Sequence, residues 1–209
     1  MTDVSTDLPT DESPEPGRRE RKKQHTRDEL MDHAARLFAE RGFDAVTTED
    51  IAEAADVSQR TFFRHFPSKE AVIYGRAHEL REAMVAAFAA RPTNEPIVAS
   101  VIAAMRAITT YYADNRGETF LQARLAAEFP AVAAHARATV QSEWEHELTA
   151  AIAQRMEVDP LADPRPEILA GAAFSAYRAA VRRWSANAGR DEFGRLLDES
   201  LAVLGTFRN

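Results

Sequence analysis

The stretch Thr48 to Glu70, TEDIAEAADVSQRTFFRHFPSKE, constrains this chain more than any other. Thr48 is a good helix N-cap, and Glu49 and Asp50 place negative charge in the first turn, where the helix dipole favours it. Ile51, Ala52 and Ala55 recur at helical spacing. Asp56-Val57 breaks the pattern, Ser58 caps a new helix, and Val57, Phe62 and Phe66 supply apolar anchors. Two short helices joined by a tight turn are helix-turn-helix organisation. Gln59, Arg60, Thr61 and Arg64 are then expected on the exposed N-terminal part of the second helix, the part that reaches base edges in a major groove.

A net charge of -7 over 209 residues is at odds with a nucleic-acid binder until its distribution is read. Residues 1 to 17 carry Asp3, Asp7, Asp11, Glu12 and Glu15 and no base, whereas RRERKKQHTR, Arg18 to Arg27, has six bases against one acid. The three lysines of the chain, Lys22, Lys23 and Lys69, all fall in the region read as DNA-binding, against the alternative that arginine simply replaced lysine elsewhere. The basic run either lies along DNA as a flexible arm or serves as a solubilising patch beside the acidic tail. The apolar runs are alanine-rich, interrupted by Arg, Glu or His and far short of the roughly 20 residues a spanning helix needs. With no cysteine the chain makes no disulfide or thiolate site, which fits the cytoplasm.

The remaining periodicity is helical throughout, so the expected fold class is all-α with about nine helices and no strand. Residues 1–20 read as a disordered acidic tail, 21–67 as a three-helix DNA-binding domain, and 68–209 as a helical ligand-binding and dimerisation domain. The first helix spans Lys22 to Arg41, with Gly42 as its left-handed terminus. A long connecting helix is expected from Ser68 to about Ala90, stopped by RPTNEP, Arg91 to Pro96. Four helices follow, near Glu95–Ala113, Glu118–Glu128, Pro130–Met156 and Pro166–Ala188, with a last one at Asp191–Thr206.

The string IAEAADVSQRTFFRHFPSKEAV resembles the helix-turn-helix signature of the TetR family of bacterial transcriptional regulators, and the match extends upstream through Leu37-Phe38, Glu40-Arg41-Gly42-Phe43 and Thr47-Thr48. The resemblance implies a homodimeric regulator, a repressor by family habit, that binds a palindromic operator in double-stranded DNA and is released by a small-molecule effector. It places Thr48, Thr61, His65 and Lys69 against phosphates, with Ser58, Lys22 and Lys23 in the same DNA-facing set. Asp56 stands where the family usually has Gly, Arg60 where Gly is common, and Phe63 where many relatives have a phosphate-bonding Tyr. Further on, QARLAAEFPAVAAHARATVQSEWEHELTAAIAQRM, with YRAAVRRWSANAG and FGRLLDESLAVL, is similar to the C-terminal domain of mycofactocin-system regulators, a subgroup linked to acyl-CoA-like ligands.

Chemistry narrows the candidates. Arg60 and Arg64 suit bidentate bonds to guanine, and Gln59 to adenine. In the C-terminal part, Met105, Tyr112, Phe120, Trp144, Phe174 and Tyr177 either line a cavity or fill a core. Arg124, Arg178 and Arg182 either hold an anionic head group or make surface ion pairs, for example with Glu128 or Glu143. Small residues Ala172, Ala176 and Ala180, with Leu197 and Leu201 in an apolar stripe that includes Leu204, are expected at a four-helix dimer interface; a monomeric core is the alternative. No G-x-S-x-G or glycine-rich phosphate loop occurs, and His78-Glu79 and His146-Glu147 lack a second zinc-motif histidine, Glu82 and Ala150 standing there. Neither an enzyme nor a cofactor or metal site is expected. The rival reading is a non-inducible architectural DNA-binding protein with a filled C-terminal core.

Overall fold

Among residues 17–206, which the computed structural model describes, the backbone forms only helices and turns. Most of the acidic tail, residues 1–16, lies outside the described residues, as does the side chain of Leu204. Helix α1, Arg18–Arg41, begins four residues earlier than expected, so the basic run is a helical extension and not a flexible arm. Gly42 ends α1 with φ 81° and ψ 158°, a conformation open to glycine but outside the left-handed helical region expected for it. Helices α2 (Thr48–Ala54) and α3 (Gln59–His65) complete the helix-turn-helix.

The long connecting helix does not form. It is broken into α4 (Lys69–Ile73) and α5 (Ala77–Ala89) by a turn through Tyr74, Gly75 and Arg76. Gly75 allows the break, because a Cβ there would lie 2.1 Å from Met31 Sδ of α1 and 3.1 Å from the Phe66 ring. A side chain there would require Met31 to move, and Arg27 Nη2 on α1 donates to the Gly75 carbonyl at 2.9 Å.

The body consists of α6 (Ile97–Asp114), α7 (Arg116–Glu128), α8 (Pro130–His135), α9 (Ser142–Met156), α10 (Arg165–Ala186) and α11 (Phe193–Thr206). Helices α8 and α9 run into one another through a π-helical segment, Ala136–Gln141, where one continuous α-helix is expected from the sequence.

Two apolar cores result. The head core gathers Leu30, Phe38, Ile51, Phe62, Phe66 and Val72, and it is closed from below by Leu125 of α7 and Val132 of α8, both essentially inaccessible. The body core gathers Met84, Met105, Ile108, Trp144, Phe174 and Trp184 with the α11 leucines. At roughly 1.5 to 3 kcal/mol per fully buried large apolar side chain, Leu125 and Val132 attach the head firmly to the body.

Candidate nucleic-acid interface and effector cavity

The cap of α2 is Thr47 and not Thr48. Thr47 Oγ1 accepts from Asp50 N at 3.1 Å while Thr47 N donates to Asp50 Oδ2 at 2.8 Å, a reciprocal capping box. These bonds hold the Asp50 carboxyl below its usual value. Helix α2 ends in a Schellman arrangement: Asp56 takes φ 52°, Asp56 N donates to Glu53 O at 3.0 Å, and Val57 N donates to Ala52 O at 2.9 Å. Asp therefore serves in the left-handed position that glycine commonly fills. Ser58 Oγ accepts from Thr61 N at 3.1 Å and starts α3.

On α3 the exposed side chains are Gln59, Arg60, Phe63 and Arg64, while Phe62 and Phe66 are buried in the head core. Phe63 is 50% exposed, with its ring set edge-on to Phe62 at 5.5 Å between centroids. Gln59 Nε2 donates to Thr48 Oγ1 at 3.0 Å, which steadies the side chain. Lys22 and Lys23 are exposed on the first turns of α1, Lys23 pairing with Glu20 at 3.2 Å.

Three residues expected against phosphates turn inward. Lys69 Nζ donates to the carbonyls of Phe43 (2.8 Å) and Val46 (2.9 Å) and lies 4.1 Å from the Phe43 ring centre, so it secures the loop between α1 and α2. His65 is half-buried, and its Nε2 is buried with no partner in the protein. Burial, then the cations Arg64, Arg27 and Lys23, hold the imidazole below its ordinary pKa. Thr61 is half-buried and its hydroxyl pairs with Ser58 Oγ at 3.0 Å. For Thr61 and His65 the reason is helical geometry: positions 61, 62, 65 and 66 share the face turned to the head core.

In the body, a cavity of about 70 Å³ is lined by Tyr74, Arg76, Tyr111, Tyr112, Gln122 and Trp144, among others. Of the predicted ligand residues it collects Tyr112, Trp144 and Tyr177. Met105 and Phe174 are wholly buried in packed core, and Phe120 leans edge-on against Trp184 at 5.8 Å. Arg124 and Arg182 are exposed, and Arg178 Nη2 donates to Ser175 Oγ at 2.8 Å with Glu145 at 3.9 Å. The predicted arginine and aromatic set is therefore not assembled at one place. Tyr112 is stacked on Phe193 at 3.8 Å and its hydroxyl meets that of Tyr177 at 2.8 Å, a contact that fills the space a tunnel requires. Burial pushes the Tyr177 phenol up to about 12.

The sequence does not show the polar wall of this cavity, Arg76, Tyr111 and Gln122, whose side chains meet behind it on Glu118. Glu118 is the hub: Arg76 Nη1 donates to its Oε2 at 3.4 Å, while Tyr111 Oη (3.3 Å) and Gln122 Nε2 (3.1 Å) donate to its Oε1. Burial raises the Glu118 pKa, and Arg76 and the Tyr111 hydroxyl oppose the rise. Gln122 Nε2 also donates to the carbonyl of Ile73, the last residue of α4, at 2.9 Å, and Arg76 reaches Asp32 of α1 at 3.8 Å. The wall of the body cavity thus holds the head directly. No local sequence pattern shows this, because the partners come from α1 and α7.

The predicted dimer residues Ala176, Ala180, Leu197 and Leu201 are buried inside the protomer, between α10 and α11 and the rest of the body core; Ala172 alone is partly exposed. The outward stripe of α10 is Ile168, Ala172, Ser175 and Ala179. Among the described residues, no helix is long and apolar enough to cross a membrane.

Comparison with known proteins agrees with this architecture. The family model for bacterial regulatory proteins of the tetR family matches residues 30–73, and that for the MftR C-terminal domain matches residues 95–208. The HTH-type transcriptional regulator TcmR of Streptomyces glaucescens is 34% identical over 199 residues, covering 91% of this chain and 88% of that protein. The fold is shared with the fatty acid degradation regulator FadR from Bacillus halodurans, with a TM-score of 0.62, 15% identity, and 88% and 97% of the two chains covered. It is shared also with Thermus thermophilus FadR, solved in complex with lauroyl-CoA, with a TM-score of 0.53, 24% identity, and 85% and 92% covered. A helix-turn-helix head on an all-helical body, matched along nearly its whole length by a regulator of the same kind, belongs to the TetR family of bacterial regulatory proteins, with a C-terminal domain of the MftR type.

Proposed function

We propose that the protein is a homodimeric transcriptional repressor that reads a palindromic operator with α3 and is released by a small molecule bound in the body. The observation that carries this reading is the outward quartet Gln59, Arg60, Phe63 and Arg64, presented on a short helix whose opposite face is locked into the head core. Two guanidinium groups and an amide there suit base edges in a major groove, and two heads about 34 to 36 Å apart enter successive turns of B-DNA. Residues 21–67 act as the reading head and 68–209 as the sensing body. Sequencing the DNA retained by the purified protein tests the proposal. A two-fold-symmetric motif is expected, and an asymmetric motif or no enrichment rejects it.

The polar wall of the body cavity supplies the coupling. A ligand that takes over Arg76 or Gln122 frees Asp32 or the Ile73 carbonyl and so moves α1 and α4. Release of DNA requires the ligand to prefer the DNA-incompetent state, and a coupling of about 1 to 3 kcal/mol changes operator affinity roughly 5- to 150-fold. The MftR-type body and the lauroyl-CoA complex of T. thermophilus FadR make acyl-CoAs the first probes. A cavity of about 70 Å³ takes an acyl chain only after Tyr112, Trp144 and Tyr177 part. That small volume favours the second reading, a non-inducible DNA-binding protein with a filled core. Calorimetry with acyl-CoAs of increasing length, with and without operator, separates the two. Affinity that grows with chain length and falls equally when operator is added supports induction, and absence of binding supports the filled core.

A further inference from the structure

Phe63 is an apolar side chain in the middle of a polar reading face. An α-helix advances about 100° per residue, so with Gln59 of α3 at the origin Phe63 lies at about 40°, Arg60 at about 100° and Arg64 at about 140°. Thr61, Phe62 and His65, which are half-buried or buried, fall between about 200° and 300°. Arg60 and Phe63 therefore point away from the head core, with Gln59 and Arg64 to either side. A recognition helix laid in a major groove turns that middle pair to the base edges and the flanks of the arc to the backbone walls.

Among the described residues, Phe63, Leu161, Ile168 and Val203 are the exposed large apolar side chains, and Phe63 is the one aromatic of the four. A lone exposed apolar residue needs no explanation by itself. This one is flanked within a turn by Gln59, Arg60 and Arg64, so a duplex that those three reach also covers the ring. The ring stands edge-on to Phe62, with an interplanar angle of 89°, and Phe62 is wholly buried. Braced on a fixed neighbour, Phe63 loses little rotamer freedom when a partner covers it.

Chemistry selects what the ring can read. A phenyl group has no hydroxyl, so it bonds neither a phosphate nor a polar base edge. In the major groove guanine, adenine and cytosine present donors and acceptors, and thymine alone adds a C5-methyl group. Over a polar edge the ring strips water without replacing its hydrogen bond, which is unfavourable. Over the methyl group it removes apolar surface from water on both partners, which is favourable.

We propose that Phe63 is a specificity-determining residue that reads thymine, its ring packing on the C5-methyl group of one thymine in each operator half-site. The proposal rests on the reading of an operator by α3 and names one base of that operator. It gives the ring a role in base recognition in place of the phosphate contact made by the tyrosine that many relatives carry there.

Duplexes selected from random DNA by the purified full chain supply the probe. Each thymine of the enriched motif is replaced in turn by uracil in both half-sites, which removes the methyl group and keeps every hydrogen-bonding group. At one position a loss of affinity on the order of tenfold is expected, close to the worth of two buried methyl groups. Phe63→Ala is expected to bind the thymine and uracil duplexes alike, with the far-UV circular dichroism unchanged. Should Phe63→Ala misfold, Phe63→Gln, a good helix former, decides in its place. A variant that weakens both duplexes equally and keeps their ratio shows a merely structural role and overturns the proposal. A motif without thymine, or one indifferent to every uracil, also overturns it and leaves the operator reading intact. Absence of any enriched motif removes the operator reading and this proposal with it.

Discussion

Arg60 occupies a position where the family favours glycine, and its exposure on α3 gives that departure a physical use. Arg60→Ala is expected to weaken operator binding by about 1 to 3 kcal/mol and to relax preference at one base pair per half-site. Titration against operator and scrambled duplexes measures both, and unchanged specificity removes Arg60 as a base reader. Lys69 behaves differently. With its ammonium group engaged by the Phe43 and Val46 carbonyls, Lys69→Met is expected to lower head stability by about 1 to 3 kcal/mol, in place of the uniform loss of DNA affinity expected of a phosphate contact. Chemical denaturation followed by circular dichroism decides between them. His65 and His135 carry a pH signature. Burial is the leading cause that lowers both pKa values in the folded chain, so the unfolded state, titrating near 6.5, binds more protons. The stability they contribute is complete above about pH 6.5 and is lost as pH falls through that value toward the folded pKa. Melting temperature is expected to drop between pH 7.5 and 5.5, with a shallower slope in the His65→Gln/His135→Gln variant.

The element scale shows what sequence punctuation conveys and what it hides. The helix-turn-helix was legible because each signal is local: Ser58 caps α3 and Asp56 tolerates a positive φ, both facts of one residue and its next neighbours. The break at Gly75 was not, since apolar spacing runs on through it and its cause is α1 crossing 48 residues away in sequence. The π segment Ala136–Gln141 was hidden for the same reason; alanine-rich text suits an α-helix equally well. Helix α10 ends two residues early in a Schellman turn with Ala188 at φ 51°, Ala188 N bonded to Ser185 O and Gly189 N to Trp184 O. Alanine pays a steric cost there that glycine avoids. Ala188→Gly is expected to stabilise the protein by about 1 kcal/mol, or raise the melting temperature by roughly 2 to 4 °C. A scanning-calorimetry trace with an unchanged or lower midpoint contradicts that account.

At the scale of the molecule, the proposed dimer needs a surface other than the one first expected. Leu197 lies wholly within the protomer, so Leu197→Glu is expected to unfold the chain and says nothing about association. Ile168, 63% exposed, and Ala172 lie on the outward stripe of α10. Ile168→Glu with Ala172→Arg is expected to give folded monomers by light scattering, and folded dimers would place the interface elsewhere. The amino-acid sequence by itself determined the all-helical class, the position of the reading helix and the quality of its caps, because helix period, capping and turn chemistry act over a few residues. Only the tertiary structure decided which face of each helix is buried against which partner. That choice turned Lys69, His65, Ala176 and Leu197 inward, closed the aromatic body around a small cavity, and brought Asp32, Arg76, Glu118 and Gln122 together across two helices and a turn. These outcomes depend on contacts between residues far apart in the chain, whose energies no local pattern records.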